Sequence, residues 1–270
     1  GLDAEHAIPL FVTELESLDD TLTAKDGSIF PVAYSSAPLR SGTTLEGVVV
    51  VFRDITDEKK EQATAQRELD ALTSVRFREA VEVAERAGLR PEVRHLANSA
   101  ATLTAPATHF DLVRPGIAVY GLSPVPDLGG PSSYGLKPAM SLRSTVALTK
   151  NVPAGSGVSY LHRYVTDRAT RLALVPLGYA DGVPRSATNV GQVHLGGVRR
   201  TIAGTVCMDQ FVVDVGDDPV QAGDEVLLFG PGDDGEPTAQ DWADALGTIN
   251  YEIVTRLGAR VPRTYVGGTS

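Results

Sequence analysis

An abrupt change of composition at Asp54 constrains the fold of this chain more than any other feature of its sequence. Residues 46–53 are apolar and β-branched, which is typical of a buried strand. Residues 57–68 are charged, lack glycine and proline, and are rich in good helix formers. Because one element cannot carry both patterns, the sequence predicts a sheet that ends near Asp54 and a helix that begins directly after it.

A second helical pattern follows in residues 77–87, where apolar side chains recur at helical spacing and Gly88 is a stop signal. One uninterrupted helix through both stretches would be long for a globular protein, so we expect a break near Thr73 and Ser74. The sequence thus predicts a helical linker over residues 57–74, with a domain boundary at its end.

Strand patterns occupy both sides of this linker. Before it, turn signals separate three extended runs, which predicts three antiparallel strands joined by two hairpins at residues 18–23, 29–37 and 46–53. After it, strand character is strongest in residues 142–150, 172–177, 192–195, 198–201, 206–215 and 225–229. Gly196 and Gly197 predict a tight hairpin turn, because glycine tolerates positive φ. A short helix is expected between Thr238 and Gly247, and another over residues 250–257.

Charge and composition exclude several classes of protein. The chain has 34 acidic and 24 basic residues, a net charge of −10, which argues against a nucleic-acid partner. Its single cysteine, Cys207, excludes an internal disulfide and a multi-cysteine metal site. The longest apolar run, residues 48–52, is far shorter than the ~20 residues of a membrane helix, and no signal-peptide pattern is present. We therefore expect a cytoplasmic protein with no membrane partner and no metal.

Several short polar motifs interrupt the apolar segments. Ser99, at a predicted strand-to-helix turn, can hold a phosphate or act as an ordinary N-cap. Arg114 stands in an apolar strand, where a buried guanidinium needs an acidic partner or a ligand. Tyr160 and Tyr179 lie in glycine-rich turns and are acid/base groups, ligand contacts or surface-packing residues. The Cys207-Met208 pair taken alone is typical of a core strand.

Taken in order, these motifs resemble the C-terminal half of alanine racemase, a fold-type III pyridoxal-phosphate enzyme. The matching segments are HLANSAATL (95–103), DLVRPGIAVYG (111–121), GVSY (157–160), PLGYADG (176–182), VCMDQ (206–210) and TINYE (248–252). The resemblance covers about residues 75–266, and so many motifs in the family's order form a specific pattern. It implies an α/β fold followed by a β-rich one. The terminal part of a TIM-type barrel spans residues 75–137, and a β-rich C-terminal domain spans 138–270.

The resemblance also assigns the site residues. The groups that would hold the phosphate of pyridoxal 5'-phosphate belong to Ser99, Gly116, Ile117 and Tyr251. Arg114 would lie against the pyridine nitrogen, where its permanent charge limits the electron-sink character of the ring. Tyr160 would be the acid/base on one face of the substrate α-carbon, acting in the partner's active site of a homodimer. The backbone of Met208 would meet the substrate carboxylate, and Tyr179 would line the entrance.

The activity implied is the interconversion of L- and D-alanine, which supplies D-alanine for the cell wall. The family's second base is a lysine on the first barrel strand that carries the cofactor as a Schiff base. That sequence context is shared by none of the lysines, which are Lys25, Lys59, Lys60, Lys137 and Lys150. We therefore expect the chain alone to be inactive. Leu161 also departs from the family, which usually has glycine after the tyrosine base.

The N-terminal part resembles a different family. Residues 22–32 and 47–56 are similar to the second half of a PAS domain, and the Asp54-Ile-Thr56 step resembles the usual PAS exit into a signalling helix. The predicted order is a partial PAS-like antiparallel sheet over residues 1–56, the linker, and then the racemase-like part. The alternative function is a PAS-linked regulatory or interaction protein, or a non-functional chimeric fragment, in which the racemase part is a remnant.

Overall fold

The structure is a computed structural model that describes residues 21–23, 29–41, 44–54 and 56–267. The chain divides into two units. The first comprises residues 1–97 and 104–112, and the second comprises residues 98–103 and 113–270. Every candidate site residue named above belongs to the second unit.

The described part of the first unit includes a three-stranded sheet. Its strands are β1 (Thr21–Thr23), β2 (Ile29–Ser41) and β3 (Thr44–Asp54), paired antiparallel in that order. The prediction of three antiparallel strands is confirmed for the described residues, while the first three residues of the first predicted strand, 18–20, lie outside them. The pairing of β2 with β3 runs from Val32 opposite Asp54 to Ser41 opposite Thr44, so the ladder extends further than the apolar pattern indicated.

The predicted helix break near Thr73 and Ser74 is wrong, because α1 runs unbroken over Thr56–Arg86. The Thr73 hydroxyl donates to the Leu69 carbonyl at 2.8 Å, and Ser74 is buried and donates to the Ala107 carbonyl at 3.5 Å. Hydroxyl groups bonded in this way leave the backbone ladder intact. The helix contains neither glycine nor proline. The domain boundary proposed after residue 74 stays a prediction.

Short elements join the two units. They are β4 (His95–Asn98), α2 (Ser99–Thr104), a 3-10 turn (Pro106–Thr108), β5 (Leu112–Arg114) and a second 3-10 turn (Ile117–Tyr120). The strand-to-helix turn predicted at Ser99 is confirmed. Asn98 precedes α2 and its side-chain oxygen accepts a hydrogen bond from the Ala101 N–H at 3.0 Å, in the manner of an N-cap.

Nine short strands follow in the second unit. They are β6 (Leu142–Thr145), β7 (Leu148–Val152), β8 (Gly157–Val158), β9 (Tyr164–Val165), β10 (Thr170–Val175), β11 (Gln192–Leu195), β12 (Val198–Thr201), β13 (Phe211–Gly216) and β14 (Glu225–Phe229). One antiparallel sheet has the order β13-β10-β7, another has the order β12-β11-β14-β6, and β8 pairs with β9. Alternate side chains such as Ala173, Val175, Val213 and Val215 are fully buried and belong to one hydrophobic core.

Three of the predicted strands differ from the observed ones. The run predicted over residues 172–177 forms β10 two residues earlier, at Thr170–Val175. The run predicted over residues 142–150 is divided between β6 and β7, which belong to different sheets and pair with β14 and β10. Of the run predicted over residues 206–215, the first five residues form a loop, in which the Cys207 N–H donates to the Gln210 carbonyl at 2.9 Å. The hairpin at Gly196 and Gly197 is confirmed, with φ of 68° and 84°.

Two helices complete the unit. In α3 (Ala239–Leu246) the Thr238 hydroxyl accepts from the Asp241 N–H at 3.1 Å, and the Asp241 carboxylate accepts from the Thr238 N–H at 2.8 Å. This capping box and Gly247 fix both ends where the sequence predicted them. The last helix, α4 (Asn250–Thr255), is two residues shorter than predicted. None of the helices in the described part of the chain is long and apolar enough to cross a bilayer.

Candidate functional site

Ser99 lies at the centre of the first group of candidate site residues. Its hydroxyl oxygen accepts from the backbone N–H of Gly116 at 2.7 Å and of Ala118 at 3.4 Å. A serine hydroxyl has two acceptor lone pairs and one proton, so Ser99 still has its proton to donate to a ligand oxygen. The Gly116 N–H, for which the resemblance implied a phosphate contact, donates to Ser99.

Tyr251 belongs to the same group. It lies on α4, its ring packs edge-on against Tyr120 with the centroids 5.9 Å apart, and its hydroxyl is directly beside Gly116. A Cβ at position 116 would stand 2.6 Å from that hydroxyl oxygen, so any larger residue there would displace the Tyr251 side chain. Ile117 is buried in the adjacent turn. The structure thus brings together Ser99, Gly116, Ile117 and Tyr251, the residues to which the resemblance assigned the phosphate.

The donor chemistry of this group fits a phosphate. Hydroxyl and backbone N–H groups are the usual protein donors to phosphate oxygens, and the Ser99 and Tyr251 hydroxyls both lie beside Gly116. Arg114 lies two residues before Gly116, at the end of β5. Its side chain is exposed, so the expectation of a guanidinium buried in an apolar strand is wrong.

The second group links Tyr179 to Met208. The Tyr179 N–H donates to the Cys207 carbonyl at 3.0 Å, and the Ala180 N–H donates to the Met208 carbonyl at 2.9 Å. At Gly178 a Cβ would stand 2.3 Å from the Met208 carbonyl oxygen, so the two segments can approach only because this residue is glycine. The two residues predicted to contact substrate are therefore held by one backbone pairing.

The Arg260 side chain contacts an acidic residue in each of these two segments. Its guanidinium contacts the Asp209 carboxylate at 2.7 Å and the buried Asp181 carboxylate at 3.2 Å. The hydrogen bond to Asp209 and the charge of Asp181 raise the pKa of Arg260 above its ordinary value. Asp181 also accepts from the Gly178 N–H at 2.8 Å. One arginine thus connects the segments that carry Tyr179 and Met208.

Tyr160 lies in an open cleft of about 640 Å³. The residues that line the cleft are Ser159, Tyr160, Leu161, His162, Cys207, Met208, Asp209 and Gln210. The Tyr160 side chain is 69% exposed, and Leu161 and Met208 beside it are also exposed. The lining includes the predicted acid/base and the predicted carboxylate contact, but neither Ser99 nor Tyr251. Tyr160 and Met208 are therefore brought together, and the residues assigned to the phosphate form a separate cluster.

Comparison with known proteins gives two domain matches and close relatives. Residues 139–265 match the family "alanine racemase, C-terminal domain", and residues 34–124 match "alanine racemase, N-terminal domain". The alanine racemase of Frankia casuarinae is 73% identical over 191 residues, which is 71% of this chain and 50% of that protein. The alanine racemase of Mycobacterium ulcerans is 46% identical over 267 residues, which is 98% of this chain and 68% of that protein. The chain belongs to the alanine racemase family.

A solved structure agrees with this assignment. The alanine racemase of Streptomyces coelicolor is 61% identical and superposes with a TM-score of 0.71, covering 73% of this chain and 52% of that one. These likenesses support the alanine racemase fold, in which a TIM-barrel N-terminal domain precedes a β-rich C-terminal domain. The chain spans about half the length of the Frankia and Streptomyces proteins.

The PAS-like segment stays a prediction. The antiparallel sheet and the long helix that it called for are present, but such elements are not specific to one family. The alanine racemase N-terminal-domain match begins at residue 34 and therefore includes most of β2 and all of β3.

Sequence reasoning missed Ser159, Asn189, Thr205 and Arg260. Their hydrogen bonds and ion pairs join segments that are 15 to 79 residues apart, and no spacing pattern reports such pairs. Asn189 did carry a signal, because asparagine tolerates positive φ and its φ is 60°. In the part of the chain that the structure describes, no group of three or more histidine, cysteine or acidic side chains is placed to hold a metal ion.

Proposed function

We propose that this chain carries the phosphate-binding and tyrosine-base parts of an alanine racemase site, and that it acts in the interconversion of L- and D-alanine with pyridoxal 5'-phosphate. The observation that supports this most directly is the group formed by Ser99, Gly116 and Tyr251. It places the Ser99 and Tyr251 hydroxyls beside Gly116, where a Cβ would displace the tyrosine, within a chain of this family.

The roles of the residues follow from their chemistry. Pyridoxal phosphate, when bound, supplies the electron sink that makes the substrate α-hydrogen acidic. Ser99, Ile117 and Tyr251 would hold its phosphate, and the charge of Arg114 would lie near the pyridine nitrogen. The Met208 backbone would hold the substrate carboxylate. The Tyr160 hydroxyl would take a proton from one face of the α-carbon or return it there.

The exposure of Tyr160 supports a shared site. A tyrosine that is 69% exposed does not act in a water-excluded site made by its own surroundings alone. Met208 and Leu161 add exposed apolar surface next to it. We therefore propose a homodimer in which Tyr160 completes the site of the partner.

A second base is required for racemisation, since a proton must leave one face and arrive at the other. Lys60 lies on α1, is exposed and pairs with Asp57 at 3.2 Å, and Lys150 lies in β7. Neither stands in the family's lysine motif. We therefore propose that the chain alone binds pyridoxal phosphate without forming a covalent link and does not racemise alanine.

The first experiment tests this directly. Purified chain is titrated with pyridoxal phosphate and L-alanine, and absorption, borohydride trapping and D-alanine are measured. Reversible binding that is weakened by Ser99→Ala supports the proposal. A cofactor trapped on one lysine, together with turnover, contradicts the proposed inactivity of the isolated chain.

The second experiment tests the role of Tyr160. The chain is co-expressed with the Streptomyces coelicolor relative in which the residue aligned with Tyr160 is changed to phenylalanine. If the tyrosine acts across a dimer interface, the wild-type chain restores racemisation and a chain with Tyr160→Phe does not. Equal activity with both chains would rule out the proposed role of Tyr160.

The alternative of a PAS-linked regulatory protein or a chimeric remnant has one supporting feature, which is the N-terminal sheet followed by a 31-residue helix. The racemase N-terminal-domain match over residues 34–124 favours the racemase interpretation. If the chain does not bind pyridoxal phosphate at all, the result would favour the PAS-linked or chimeric interpretation.

A further inference from the structure

The backbone around Tyr160 adopts conformations that side chains rarely take. Ser159 has φ of 59° and ψ of −169°, a region that is essentially restricted to glycine, and Leu161 has φ of 62°. His162 also has a positive φ, 46°. Three of the five non-glycine residues with positive φ in the described chain therefore flank Tyr160. Such conformations persist only where the surroundings fix them from several sides.

Ser159 and Thr205 fix this loop through a reciprocal pair of hydrogen bonds. The Ser159 hydroxyl donates to the Thr205 carbonyl at 2.7 Å, and the Thr205 hydroxyl donates to the Tyr160 carbonyl at 2.9 Å. The Cys207 sulfur lies 3.2 Å from the Ser159 oxygen and 3.6 Å from the Thr205 carbonyl oxygen, so it packs against the same pair. Thr205 is 2% exposed, so water does not replace its hydrogen bond.

Asn189 adds a second connection between the same segments. Its side-chain oxygen accepts from the Gly204 N–H at 2.6 Å, and its side-chain nitrogen donates to the Arg163 carbonyl at 3.0 Å. Gly204 has φ of 84°, and a Cβ there would stand 2.7 Å from the Val158 carbonyl oxygen. Segments 158–163 and 204–207 are therefore joined at both ends of the loop.

Within its own chain the Tyr160 side chain is largely exposed, so the position from which it reaches the partner's site depends on the peptide to which it is attached. That peptide carbonyl is the acceptor of the Thr205 hydroxyl. We propose that Thr205, supported by Ser159 and Asn189, is a positioning residue for the Tyr160 acid/base. The proposal rests on the proposed function for its catalytic consequence, while its geometric content can be tested without turnover.

The test uses the full chain labelled with 3-fluorotyrosine, whose Tyr160 resonance is identified by its loss in Tyr160→Phe. Thr205→Val removes the hydroxyl and keeps the shape, Thr205→Ser keeps the hydroxyl, and Thr73→Val is the control at a hydroxyl on α1. We expect one sharp Tyr160 resonance in the wild type, Thr205→Ser and Thr73→Val. We expect a broadened, split or shifted resonance in Thr205→Val, with the other tyrosine resonances unchanged.

Asn189→Gly is the second variant, because Asn189 is exposed and glycine accepts its φ of 60°. It removes both bridging hydrogen bonds with little risk to the fold, so it decides the question if Thr205→Val does not fold. A Tyr160 resonance identical to the wild type in the folded variants overturns the proposal. A change confined to the Tyr160 resonance supports it.

The co-expression assay separates this proposal from the proposed function. In that assay Thr205→Val should lower the restored kcat by about tenfold to a hundredfold with KM changed by less than about threefold, and Thr205→Ser should recover the wild-type kcat. An equal kcat for the wild type and Thr205→Val contradicts the positioning role alone. An equal rate for the wild type and Tyr160→Phe contradicts the proposed function, and the resonance experiment remains decisive for the geometry.

Discussion

Gly116 and Tyr251 stand so close together that a single methyl group on Gly116 would lie 2.6 Å from the Tyr251 hydroxyl oxygen. The residues are 135 positions apart in the chain, and their contact brings the 3-10 turn after β5 against α4. The Ser99 hydroxyl contacts the same glycine from another direction, at 2.7 Å. The predicted phosphate site therefore depends on the absence of a side chain at residue 116.

The first prediction concerns the absence of a side chain at Gly116. Gly116→Ala should displace the Tyr251 hydroxyl and weaken the binding of pyridoxal phosphate by about tenfold or more, since a hydrogen bond to a charged group contributes roughly 1.5–3 kcal/mol. Gly130→Ala is the matched control, because nothing lies within 4 Å of a Cβ placed at Gly130. Calorimetric titration measures both variants. Equal affinities in the two would show that Tyr251 does not contact the phosphate.

The second prediction concerns the strain beside Tyr160. Leu161 has a φ of 62°, which costs a leucine roughly 1–2 kcal/mol and costs glycine almost nothing. Glycine in turn loses about 0.5–1 kcal/mol more backbone entropy on folding. Leu161→Gly should therefore leave stability unchanged or raise it by up to about 1 kcal/mol in urea unfolding. The control, Leu148→Gly, replaces a half-exposed leucine in β7, where φ is negative, and should destabilise. If both variants lose the same stability, the loop is not strained at Leu161.

The third prediction concerns the ion pairs that Arg260 makes with Asp181 and Asp209. Arg260→Gln removes the contacts to Asp181 and Asp209, so the pairing of Tyr179 with Cys207 should open more often. Hydrogen exchange of the Tyr179 and Ala180 amides should speed up severalfold, with global stability nearly unchanged. Arg168→Gln, which removes an exposed pair with Asp217, should leave those amides as they were. Unchanged exchange in Arg260→Gln would mean that the backbone hydrogen bonds and the close packing at Gly178 hold the segments without Arg260.

The fourth prediction concerns alkaline pH. Burial, followed by the hydrogen bond to Asp214, raises the pKa of Tyr164 to about 12. The folded protein thus holds this proton more tightly than the unfolded chain, where a tyrosine pKa is about 10. The stabilising contribution is complete below about pH 10 and is lost as the pH rises through about 12.

Tyr164→Phe should therefore make the free energy of unfolding fall less steeply above about pH 10 in a series of urea titrations. Tyr265→Phe is the control, because Tyr265 is 89% exposed. If the free energy of unfolding falls with pH as steeply in Tyr164→Phe as in the wild type, groups other than Tyr164 cause the loss of stability at alkaline pH.

Local patterns predicted many elements and their limits. Gly196 and Gly197 set the hairpin, and Thr238 with Asp241 set the start of α3, because turns and caps depend on the φ preferences and side-chain donors of adjacent residues. The break predicted near Ser74 was wrong: α1 contains neither glycine nor proline, and Ser74 is buried with a contact to Ala107, 33 residues away, that no local pattern reports. The strand predicted from residue 206 was wrong for the same kind of reason. The carbonyls of Cys207 and Met208 pair with the segment that follows β10.

The sequence was sufficient to establish the family, through motifs whose order survives whatever the chain does in three dimensions, and to nominate the candidate site residues. The tertiary structure decided which of those residues meet. It placed Ser99, Gly116 and Tyr251 in one cluster and Tyr160 with Met208 in another, and it exposed the side chain of Arg114. It also revealed Thr205 and Asn189 behind the Tyr160 loop. Hydrogen bonds between distant segments depend on how the sheets pack, and no local periodicity encodes that packing.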